Sequence, residues 1–145
     1  MQKAISYFCT RHKMKLDLRK IQFINLFENL TKASVLDFYE EETLIFIVKE
    51  GNLRQALGRK NENLRRLEGM FKKKIRIIEF NKNPEIFLKN FTYPLSLKSI
   101  NVEKKIATVY SDMKTKGLLI GRDHKNLQMI NEIFKRYFDM EVKVR

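Results

Sequence analysis

The sequence predicts an α+β fold made twice, each copy a small mixed three-stranded sheet with helices packed on it. Three observations carry this. The first is an internal repeat at an offset of 63 positions, from Gly58 to Gly121. Leu57-Gly58-Arg59 falls on Ile120-Gly121-Arg122, Asn63-Leu64 on Asn126-Leu127, and Phe71-Lys72 on Phe134-Lys135. The second is the 53–80 stretch, which reads as short apolar helix, basic glycine turn, amphipathic helix and β-rich run. The third is that each half reads in one order: helix, strand, strand, helix, turn, helix, strand.

In chain order, residues 1–13 form an N-terminal extension. Ile5, Tyr7 and Cys9 alternate as in an edge strand, but Phe8 spoils the pattern and a loosely docked tail fits better. Asp17 is placed to cap a helix starting near Leu18. Ile21, Ile24, Phe27 and Leu30 recur every three residues, with Leu26 alongside, giving that helix one buried face. Val35, Leu36, Phe38 and Tyr39 form a short strand. Glu40-Glu41-Glu42 makes a solvated turn, and Thr43 to Val48 is a continuous apolar run suited to a central strand. Leu53, Ala56 and Leu57 give a helix ending at Gly58. Leu64, Leu67 and Phe71 define the next helix, and Ile75 to Phe80 the closing strand.

Asn81-Lys82-Asn83-Pro84 reads as a linker. It sets the domain expectation at 14–82 and 83–145. Pro84 opens a helix carrying Ile86, Phe87 and Phe91, and Pro94 ends it. Leu95 to Val102 and Lys105 to Tyr110 read as two strands with a turn near Glu103. Ser111 to Lys116 reads as a loop, followed by Gly117-Leu118-Leu119-Ile120 and the second glycine turn. Leu127, Ile130, Phe134 and Phe138 mark the last helix, whose aromatic set, Tyr137 included, reads as core. Met140, Val142 and Val144 mark the last strand.

Composition narrows the function. The 145 residues hold 30 basic and 17 acidic side chains, a net charge of +13. The excess lies in both halves, with 17 basic and 10 acidic residues through Asn81 and 13 and 7 beyond it. Such a field suits a polyanion, most simply nucleic acid. One cysteine, Cys9, excludes an internal disulfide and fits a reducing compartment. Two histidines and no clustered acids give no metal site, and no cofactor is expected. No apolar run approaches the roughly 20 residues of a membrane span. These features lead to an expectation of a cytoplasmic monomer with no membrane partner and no small-molecule substrate. Gly51 and Gly58 are too far apart for a phosphate-binding Walker loop, and Arg59-Lys60 replaces its Lys-Ser/Thr. No other enzyme motif competes, so no catalytic residues are assigned.

The basic glycine turns carry the binding chemistry. A glycine lets a ligand backbone approach closely, and the helix behind it offers unpaired N–H groups. The predicted nucleic-acid-binding residues are Gly58, Arg59, Lys60 and Asn61, flanked by Arg54, Arg65 and Arg66, with Gly121, Arg122 and Lys125 in the second copy. Leu57 to Leu64 and Ile120 to Leu127 resemble the I-G-x-x-G-x-x-I core of KH domains. The order of elements resembles the type II KH fold. With LRKIQFINLFENLT, TLIFIVKEG and GLLIGR…NEIFKRYF, the pair is similar to the archaeal NusA-like transcription termination factors, over roughly 14–145. The resemblance implies tandem KH domains binding single-stranded RNA in extended form. It implies a role in transcription elongation or termination near RNA polymerase. In the KH mode the loop clamps about four nucleotides while bases lie along an apolar groove, which Leu53, Leu57 and Leu64 are placed to border.

The chain departs from that pattern at the last glycine of G-x-x-G. Asn61 stands there in the first copy and His124 in the second. Both residues tolerate left-handed backbone, so the turn is expected to survive. Asp123 inside the second loop repels phosphate and is placed to cap its own helix. The first loop is therefore expected to bind RNA better than the second. The altered loops also leave open a scaffold that docks RNA polymerase or ribosomal proteins with little RNA binding.

Overall fold

A computed structural model describes residues 18–145; the expected extension 1–13 and the Asp17 cap lie outside them. The fold divides into two compact units between Asn81 and Lys82. The first contains α1 (Leu18–Thr31), β1 (Val35–Glu40), β2 (Leu44–Val48), α2 (Leu53–Leu57), α3 (Glu62–Phe71) and β3 (Ile75–Glu79). The second contains α4 (Pro84–Thr92), β4 (Ser99–Glu103), β5 (Ile106–Tyr110), α5 (Met113–Ile120), α6 (Lys125–Phe138) and β6 (Glu141–Val144). The fold class is as predicted: α+β, with two small mixed three-stranded sheets.

Each sheet follows sequence order, with its middle strand antiparallel to the first and parallel to the last. The parallel pair needs a crossover, and the two helices around the glycine turn supply it. Strand β2 is buried at all five positions, as a continuous apolar run in a central strand demands. In the first unit Phe27 stacks on Phe46 with ring centroids 4.2 Å apart, and Phe38 packs 4.7 Å from Phe46. Phe23 meets Phe71 edge to face at 4.9 Å. The second unit is built the same way around Phe87, Phe134 and Phe138, with Phe134 fully buried. Leu26 and Ile86, which lie among the periodic apolar residues, are exposed instead.

Two expectations are corrected. Residues 113–116 are helical, not loop: the Asp112 side chain accepts the Thr115 N–H at 2.7 Å and starts α5. Only Thr115 and Leu119 of that helix are buried, so its sequence lacks a strong apolar stripe. Strand β4 begins at Ser99, not Leu95. The chain after Pro94 joins the sheet when the Lys98 N–H reaches the Tyr110 carbonyl.

Glu28 is the one fully buried carboxyl on α1. Its Oε2 accepts the Val35 N–H at 2.9 Å and fixes the start of β1, while Oε1 has no hydrogen-bond partner. Burial pushes its pKa above the usual carboxylate value, opposed by the Val35 hydrogen bond. The folded state therefore holds this proton to higher pH than the unfolded state does. Stability falls as pH rises above the unfolded value near 4.5. In urea unfolding from pH 4.5 to 7, the parent is expected to lose stability relative to Glu28→Gln, which keeps an acceptor for Val35.

Candidate nucleic-acid interface

The two glycine turns have the same backbone. Gly58 sits at φ 76°, ψ 175° and Gly121 at φ 76°, ψ 172°, a region essentially restricted to glycine. Two left-handed residues follow in each: Lys60 and Asn61 at φ 52° and 59°, Asp123 and His124 at φ 55° and 61°. The turn thus survives loss of its last glycine in both copies. Left-handed backbone costs a non-glycine residue on the order of 1 kcal/mol, so each loop holds strain that its surroundings impose.

An asparagine stands against each glycine. A Cβ on Gly58 would stand 2.8 Å from the Asn63 side chain, and one on Gly121 2.7 Å from Asn126. Asn63 Nδ2 donates to the Gln55 carbonyl and Asn126 Nδ2 to the Leu118 carbonyl, both at 3.1 Å. Each asparagine therefore reaches from the first turn of one helix to the last turn of the other, across the glycine. Sequence reasoning gave these residues no role, although their exact place in the repeat was the available signal. Gln55 in turn donates to the Lys32 carbonyl at 2.9 Å, tying α2 to the end of α1.

The predicted cations surround these turns. Arg54 lies on α2, Arg59 and Lys60 in the first turn, and Arg65 and Arg66 on α3; all are exposed. Arg122 and Lys125 are exposed at the second turn. None of them forms an ion pair among the described residues. In contrast, Lys73 pairs with Glu40, Lys105 and Lys135 with Asp139, and Arg136 with Glu132. The basic side chains around the turns are thus electrostatically unspent. Asp123 occupies in the second turn the place of Lys60 in the first. The expectation that it caps its helix is corrected: the cap position of α6 is His124, one residue later, and no side chain caps it.

The second unit also has a cleft of about 490 Å³ between its helices and its last strand, whose lining includes Lys116, Leu127, Asn131, Glu141, Lys143 and Arg145. Leu53, Leu57 and Leu64 of the first unit are half-buried, with Leu64 packed against the core. No group of acids, histidines or cysteines among the described residues is arranged to hold a metal ion. No described helix is long and apolar enough to cross a membrane.

The strain assigned to the turns is testable by urea unfolding. Gly58→Ala is expected to lower stability by about 1–3 kcal/mol. Lys60→Gly relieves a left-handed residue and is expected to raise it by up to about 1 kcal/mol.

No family model matches the sequence. The chain is 32% identical over 129 residues to the probable transcription termination protein NusA of Methanococcus vannielii, covering 86% of this chain and 75% of that one. It is 31% identical over 130 residues to the protein of the same name from Methanocaldococcus jannaschii, covering 86% and 71%. The namesake from Halococcus morrhuae is 26% identical over 125 residues, covering 83% and 90%. Among solved structures, the crystal structure of APE1850 superposes with a TM-score of 0.67 at 24% identity, over 90% of this chain and 100% of that one.

Proposed function

The chain belongs to the family of archaeal NusA-like transcription termination proteins, and on that premise we propose that it acts in transcription termination by holding single-stranded RNA. Residues 14–82 and 83–145 serve as its two RNA-binding modules, and the first glycine turn is the principal clamp. The observation that carries this reading is the strained turn itself. Two consecutive left-handed non-glycine residues persist in each copy, flanked by unpaired cations. Strained backbone of this kind clusters at ligand clamps; the single left-handed residues elsewhere, such as Lys72 and Asp139, sit at helix ends instead.

In the mechanism, Gly58 and the helix start behind it admit a phosphate to backbone N–H groups. Arg59 and Lys60 neutralise that phosphate and its neighbour, and Arg54, Arg65 and Arg66 extend the positive field along the strand. The second turn offers Gly121, Arg122 and Lys125 but sets the Asp123 carboxylate against the phosphate. It contributes less. One strand engaging both modules binds more tightly than either site alone, because the second contact is intramolecular. RNA polymerase is the protein partner this role implies.

The test is RNA affinity against salt. Neutralising about five phosphates gives a log–log slope of about −3.5, from roughly −0.7 per phosphate on single strands. Changing Arg59 and Lys60 together to Asp is expected to weaken binding and flatten that slope by about 1.4. A parent slope near zero contradicts the proposal.

A further inference from the structure

The two units differ at one matched position on the helix after the turn, and the difference bears on which bases are read. Glu68 on α3 and Asn131 on α6 stand at the repeat offset of 63. Each accepts the N–H of a buried residue near the start of the closing strand. Glu68 Oε2 takes the Ile75 N–H at 3.0 Å, and Asn131 Oδ1 takes the Val142 N–H at 2.6 Å. Helix α6 has 14 residues against 10 in α3, about one extra turn, which accounts for the later strand position.

Their remaining capacity is not the same. Asn131 Nδ2 donates to the Leu127 and Val142 carbonyls, both at 3.2 Å. Its two N–H donors and its oxygen are therefore all engaged on the protein. Glu68 keeps Oε1 without a partner among the described residues, and a carboxylate has no donor with which to cover the strand's carbonyl. Next to it is Gly69, exposed in mid-helix, where an added Cβ would meet nothing within 4 Å. Glycine there costs helix stability without a packing reason.

The surroundings differ in the same sense. The cleft around Asn131 carries Lys116, Lys143 and Arg145 against one acid, Glu141. At the repeat positions of Lys116 and Leu127 the first unit has Leu53 and Leu64, both half-buried, and Ile77 is half-buried on the closing strand. The first unit thus offers apolar side chains, Arg76 at the strand position that matches Lys143, and one carboxylate oxygen. The second offers a net positive charge, with Lys116, Lys143 and Arg145 against Glu141, and a spent amide.

We propose that Glu68 is a base-selecting residue of the first unit. Its Oε1 accepts an amino N–H from a nucleobase lying against Leu53, Leu64 and Ile77, while the second unit holds the strand without selecting bases. This rests on the RNA-binding reading above. Adenine and cytosine present an amino group, and carboxylates accept from such donors. Uracil has none, and its one N–H lies between two carbonyl oxygens that repel a carboxylate. A hydrogen bond to a charged group in a partly open groove gives discrimination of about tenfold.

The experiment measures binding of short labelled oligo(A), oligo(C) and oligo(U) to the full chain at one salt concentration. Oligo(A) and oligo(C) are expected to bind about tenfold more tightly than oligo(U). Replacing adenosine by purine riboside, which lacks only the amino group, should bring affinity down to that of oligo(U). Glu68→Gln keeps an acceptor for Ile75 and should bring the A-to-U ratio near one. Equal affinity for oligo(A), oligo(U) and purine riboside, with RNA still bound, overturns the role of Glu68 alone. So does an unchanged ratio in a Glu68→Gln protein that melts like the parent. Absence of any RNA binding overturns the RNA-binding reading together with it. The purine riboside comparison uses the parent protein and decides the matter even if the variant misfolds.

Discussion

The close approach of a glycine to an asparagine five residues later organises each unit. Gly58 can occupy its position against Asn63 only because it has no Cβ, and Gly121 stands in the same relation to Asn126. That contact, with the amide hydrogen bond across the turn, sets the two crossover helices at a fixed entry to one another. The helices cover the sheet, and the crossover makes the last strand parallel to the central one. The turn left between them projects outward with its backbone strained. The same constraint therefore explains both the topology and the place where a ligand's backbone can come close.

On this shared frame the two units have diverged. Lys60 against Asp123 changes the charge of the turn, Leu53 against Lys116 changes the wall, and Glu68 against Asn131 changes the unused hydrogen-bonding capacity. Each substitution leaves the turn's backbone angles almost unchanged. The frame is thus decoupled from the chemistry it presents, and a repeated fold can divide one task between two modules. The cations beside the turns form no ion pairs among the described residues, while Lys73, Lys105, Lys135 and Arg136 elsewhere are tied to Glu40, Asp139 and Glu132.

Much of this was legible in the sequence because the determinants are local. The apolar run Leu44 to Val48 reads as a central strand at sight, Pro84 marks its helix start, and the 63-residue repeat gives the duplicated fold. The left-handed turns were legible from Asn61 and His124, whose side chains tolerate that backbone. The first turn of α5 reads as loop because its start depends on one capping hydrogen bond from Asp112, and its buried pair, Thr115 and Leu119, includes a polar residue. The delayed start of β4 follows from sheet pairing at Lys98, a contact 12 residues away that no window of sequence reveals. The asparagine bridges and the contrast between Glu68 and Asn131 depend on contacts made between elements. They became readable only once those elements were in place.

The most direct test of the central claim is a residue-resolved map of where RNA touches the protein, from backbone amide shifts as a short single-stranded oligonucleotide is titrated in. The account predicts the largest changes at Gly58 to Leu64, with smaller changes saturating later at Gly121 to Leu127. Shifts confined to surfaces away from both glycine turns, with the amides of Gly58 and Asn61 unmoved, would contradict it.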